Sequence, residues 1–224
     1  MKSRSITRAW ARASMMLALA SAAVVSSSAA QTAMVAEHGA MNMRLDASEL
    51  RSALNRLLQE HVYLAGAATG AALSGRDAEF KAAATALDGN GVDLSKKIGA
   101  VYGAHAESAF LSLWRRHIGF AVDYTTGVAT KNKAKADGAV NALVNYSQDF
   151  AAFLSSANPN LPRNVVADLT KSHVVTLKDV IDAQYAKDAT RTYQALRAAA
   201  GHMSMIADPL AAAIAKQFPD KFTN

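Results

Sequence analysis

The sequence predicts an all-α protein, a six-helix bundle built from three helical-hairpin repeats with a period of about 56. Three observations predict it. His61, His117 and His173 are evenly spaced along the chain, and each is followed by a β-branched residue, Val62, Ile118 or Val174. Apolar residues recur at alternating spacings of three and four, the signature of one buried helical face, and no stretch alternates as a strand does. The chain is rich in Ala, holds four Pro and has 7% aromatics, which suits helices better than sheets.

At 224 residues and 51% hydrophobic, the chain can bury one sizeable core. Residues 1–30 read as a secretory signal: Lys2, Arg4, Arg8 and Arg12, an apolar run from Ala13 to Val25, then Ser28-Ala29-Ala30 as the cleavage site. That run is short for a membrane span, which takes roughly 20 residues. The protein is therefore expected to be exported, periplasmic or secreted, with no transmembrane segment after cleavage. No Cys follows the run, so neither a lipid anchor nor a disulfide framework is expected. The formal charge of +6 falls to +2 without the four basic residues of the signal. No basic stripe with interleaved aromatics remains, which argues against nucleic acid as a partner. Residues 31–45 read as a flexible lead-in and 46–222 as a single helical bundle domain.

Within 46–222, Asp46 caps the first helix, with Glu49 three residues on. Leu50, Leu54, Leu57, His61, Leu64 and Ala68 form its apolar face, and Gly75 ends it. The second helix spans about Arg76 to Tyr102, with Phe80, Leu87, Leu94, Ile98 and Val101 inward. Asp88-Gly89-Asn90-Gly91 is expected to kink or break it, because a Gly inside a helix costs about 1 kcal/mol. Helix three carries Phe110, Leu113, His117, Phe120 and Tyr124 on one face, with Trp114 one position off the seam. After the turn at Lys131-Asn132-Lys133, helix four turns Val140, Leu143, Ser147, Phe150 and Leu154 inward. Asn158 to Pro162 is the clearest break. Helix five aligns Val166, Leu169, His173, Leu177 and Val180; helix six starts near Asp188, carries a broad stripe through His202, Met203 and Ile214, and should kink at Pro209.

The phrases Glu60-His61-Val62, Arg115-Arg116-His117-Ile118, the run at 153–160 and the closing stretch 202–222 resemble an uncharacterised family of exported all-helical bacterial proteins. That family shows repeated EHV/EHI-type histidine helices and a closing H-x-x-M-A-D-like stretch. The resemblance covers about 47–222 and implies a helical fold and no activity. Arg116 and Ser172 stand where an acid often precedes the family's histidine.

Three histidines at one repeat position, each where a seam should hold Leu, are the candidate chemistry. If the hairpins pack about a common axis, His61, His117 and His173 offer three imidazoles, with His202 as a fourth, which suits copper or zinc. Asp93 and Asp149, which follow His61 and His117 at the same interval, could orient ring nitrogens or ligate directly. Met205 holds that place in the third copy, with Asp208 a turn later. His38, Met41 and Met43 in the lead-in are further candidate copper ligands. Haem is a weaker expectation and would be noncovalent, since no C-x-x-C-H is present. The competing expectation is a non-enzymatic structural or small-apolar-ligand module whose histidines are core residues. No G-x-S-x-G, phosphate loop, H-E-x-x-H or paired E-x-x-H is present, so an enzyme is not the expected reading.

Overall fold

The protein is described by a computed structural model over residues 45–223. It forms six α-helices: α1 (Ala47–Leu73), α2 (Asp77–Tyr102), α3 (Ala104–Ala129), α4 (Lys133–Ala157), α5 (Arg163–Tyr185) and α6 (Ala189–Gln217). The caps are those the composition suggests. Asp46 accepts from the Ser48 and Glu49 amides, Asn132 from Lys135 and Asp188 from Arg191. Gly75 and Gly103 take positive φ of 70° and 89° and turn the chain between helices. A parallel pair of two-residue strands, β1 (Leu45–Asp46) and β2 (Phe222–Thr223), ties the ends of the described chain together. No helix among the described residues is long and apolar enough to cross a membrane.

Each helix packs on its neighbours in the chain, and α6 closes the ring on α1. The odd-numbered helices α1, α3 and α5 also touch one another across the centre. Their midpoints therefore meet on the bundle axis, where Leu54, Leu57, Val62, Trp114 and Leu177 join the main core.

One expectation is corrected here, the break expected in the second helix. α2 runs unbroken through Asp88-Gly89-Asn90-Gly91. Gly91 is present for clearance, because a Cβ there would lie 3.0 Å from Trp114 Cδ1. Asn90 is buried and donates from Nδ2 to the Leu57 carbonyl at 2.9 Å and to Glu60 Oε2 at 3.1 Å. Tertiary bonds and close packing here outweigh the weak helix propensity of the four residues. α6 carries Pro209 within its length, with the Pro on the exposed side of the helix.

Candidate metal centre

His61, His117 and His173 come from the middles of α1, α3 and α5 and meet at the axis. They are 1%, 5% and 8% exposed, and one ligating nitrogen from each lies within 4.8 Å of the others. The Nε2 atoms of His61 and His117 are 3.4 Å apart. The His61 ring centroid is 5.3 Å from that of His117 and 5.7 Å from that of His173. An ion bonded at about 2.1 Å holds its nitrogens roughly 3.4 Å apart in tetrahedral geometry, so the first pair already has this spacing. The most distant pair needs up to about 1.4 Å of closing movement to match it.

All three rings are neutral at physiological pH. Burial, with the neighbouring His117 and His173 adding to it, holds His61 well below its ordinary value. Burial foremost and then His173 push His117 down to about 3, against a small opposing effect of the Trp114 backbone. Burial, then His202, push His173 down to about 4. Neutral imidazole is the form that binds metal, so no proton has to be displaced. Nδ1 of each of the three rings is buried without a well-formed hydrogen bond, the Trp114 backbone offering His117 only a partial one. An unpartnered buried polar atom costs about 1–3 kcal/mol, which makes the centre expensive as a purely structural feature.

Aromatic rings wall the centre. Trp114 stands edge-on to His61 and His117 at centroid distances of 4.9 Å and 4.6 Å, and Tyr146 stacks on His117 at 5.0 Å. Two small cavities flank the histidines. One, of about 40 Å³, is lined by Leu58, Trp114, His117, Thr170, His173 and Met203 among others. The second, of about 20 Å³, lies on the opposite side of His117 and His173, towards Tyr124 and Ile181.

No protein-family model, curated protein or solved structure matches this chain. The reading of the centre therefore rests on its own geometry.

The other expected site residues lie elsewhere. His202 is half-buried and its Nε2 is 3.0 Å from the Leu169 carbonyl, so it stands near His173 without joining the three-histidine group. Asp93 pairs with Lys96 and Asp149 with Arg116, both at the surface. Neither carboxylate therefore backs a histidine. Asp208 accepts from Arg51 at 2.7 Å and 2.8 Å and from Asn55 at 2.7 Å, joining α6 to α1 at the rim. Met205 is 57% exposed. The physical reason is register: the inward residues of the outer helices fall one turn earlier, at Asn90, Tyr146 and His202, which themselves recur at the histidine period. His38, Met41 and Met43 lie outside the described residues. The weaker expectation of haem gains no support here, since the cavities beside the histidines are only about 40 Å³ and 20 Å³. Trp114, Tyr146, Asn90 and Met203 are the site residues that periodicity missed. The spacing of Asn90 and Tyr146, equal to that of His61 and His117, was the signal that could have found two of them.

Proposed function

We propose that this protein is an exported helical bundle that binds one copper or zinc ion through His61, His117 and His173. The observation that carries this reading is the convergence of three neutral, buried imidazoles, from three helices, to within 4.8 Å. Three imidazoles with room for a further donor is a common set for either metal. The ligands are enclosed by hydrocarbon and aromatic side chains, and the reading is of an ion-binding protein without an assigned reaction. Residues 1–30 serve as the signal that exports it and 31–45 as a lead-in whose His38, Met41 and Met43 are accessory donors; 46–222 is one domain.

A threefold hairpin duplication explains why the ligands arrive together. Identical spacing along the chain gives identical height on three parallel helices. The larger cavity supports this, since its wall takes Leu58, Trp114 and Thr170 from one repeat position and Leu94, Phe150 and Ile206 from another.

The same two cavities favour a second reading, a small apolar ligand held against core histidines. Elemental analysis of protein purified without chelator or affinity metal separates the two. About one equivalent of copper or zinc, lost in His117→Ala, is expected for the metal centre. A folded protein that is metal-free and takes up neither ion would leave the apolar ligand as the better account.

A further inference from the structure

The charge of the centre's surroundings selects the cation, given the metal-centre reading above. No Asp, Glu, Lys or Arg is buried among the described residues, and no carboxylate oxygen joins the three histidines. Asp93, Asp149 and Asp208 are turned outward to Lys96, Arg116 and Arg51. Neutral imidazoles add no countercharge, so the filled site carries the charge of its ion. The cost of burying an ion grows with the square of that charge, about fourfold more for a dication than for a monocation.

The donors point the same way. Sites that hold Zn(II) through His commonly back each ring with a carboxylate or carbonyl acceptor, which makes the imidazole a stronger base. Here no Nδ1 makes a well-formed hydrogen bond to an acceptor, the Trp114 backbone offering His117 only a partial one. Met203 is 1% exposed and lines the same cavity as His117 and His173. Among the described residues the only other sulfur belongs to Met205, which is exposed. A thioether is a soft donor that favours Cu(I), and the unbranched Met side chain can adjust to reach an ion.

We infer that the centre is a Cu(I) site, formed by three neutral imidazoles with the Met203 thioether as a further donor, and that it discriminates against Zn(II) for want of compensating negative charge.

The test is a pair of anaerobic competition titrations of the metal-free protein, with Cu(I) against a chromogenic Cu(I) chelator and with Zn(II) against a zinc indicator. The protein is expected to take about one equivalent of Cu(I) from its chelator and to hold Zn(II) at least about a hundredfold more weakly. Met203→Leu, close in volume, should weaken Cu(I) roughly tenfold and Zn(II) by clearly less, with the metal-free Tm moved by no more than a few degrees. His117→Leu, checked for its helical circular dichroism, should lose the Cu(I). Equal or tighter Zn(II) binding overturns this inference and leaves the metal centre standing. Cu(I) affinity unchanged in Met203→Leu removes the thioether and overturns the ligand set. Cu(I) fully retained by His117→Leu assigns it to other donors and overturns the site. Binding of neither ion overturns both this inference and the reading it rests on.

Discussion

Replacing His61 and His117 together by Leu should stabilise the metal-free protein. The two rings hold two buried Nδ1 atoms without partners, and each such atom costs about 1–3 kcal/mol. Removing both rings recovers that cost. It gives up the mutual Nε2 contact, which at 3.4 Å is long for a hydrogen bond and contributes at most about 1 kcal/mol, and it exchanges the ring contacts with Trp114 and Tyr146 for hydrocarbon packing. Leu fills a similar volume in a wall already made of Leu58, Leu94 and Trp114. The net gain is about 1–5 kcal/mol. In a protein of this size that is a rise in Tm of roughly 2–20 °C. The single variant His117→Leu should be nearly neutral, because it removes one unpartnered atom and leaves His61 Nε2 without its partner. The assay is thermal unfolding followed by circular dichroism after exhaustive chelation near neutral pH. Adding metal should then raise the Tm of the natural protein, by about 4 kcal/mol of stability at a thousandfold excess over Kd, and leave the double variant unmoved. A double variant that unfolds several degrees lower in the metal-free state would refute the reasoning. It would mean that the histidines hold the core together without an ion.

Acidification should unfold the metal-free protein before its carboxylates matter. The folded-state values of the three histidines lie below the ordinary 6.5, at about 3 for His117 and about 4 for His173, so the unfolded chain binds more protons below that pH. Stability is therefore fully present above about pH 6.5 and falls as pH drops towards the folded values, by about 1.4 kcal/mol per pH unit for each histidine. A midpoint between about pH 4 and pH 5.5 is expected by circular dichroism, and a fold intact at about pH 3 would contradict it. Gly89→Ala and Gly91→Ala should act in opposite directions. A Cβ at Gly89 meets nothing within 4 Å and should add about 1 kcal/mol of helix propensity. At Gly91 it meets Trp114 Cδ1 at 3.0 Å, so a net loss of about 1–3 kcal/mol and a shifted indole emission are expected in denaturant titrations. Tyr146→Phe removes a buried hydroxyl that has no partner and should be neutral or stabilising by about 1 kcal/mol. A loss of more than that in the same titration would reveal an acceptor for Tyr146.

The sequence by itself determined the helices and the identity of the central residues. Apolar spacing along α1, α3 and α5 required one buried face on each, and the faces carried His61, His117 and His173 whatever the bundle looked like. Asp46, Asn132, Asp188 and Gly75 marked the helix ends because capping and left-handed turns are local chemistry. Only the tertiary structure decided that the three seams meet on one axis, because the order of helices round a ring depends on packing between residues distant in the chain. It also decided rotation. Asp93 and Asp149 belong to the same repeat as the histidines, yet they sit most of a helical turn beyond Asn90 and Tyr146, and they face Lys96 and Arg116 instead of the core. The continuity of α2 through Gly89 and Gly91 was equally a matter of neighbours. A helix-breaking pair became tolerable where Trp114 required the space and Asn90 found the Leu57 carbonyl. Local propensity is worth about 1 kcal/mol per residue, and a buried contact of this kind is worth as much or more, so the fold follows the contact where the two disagree.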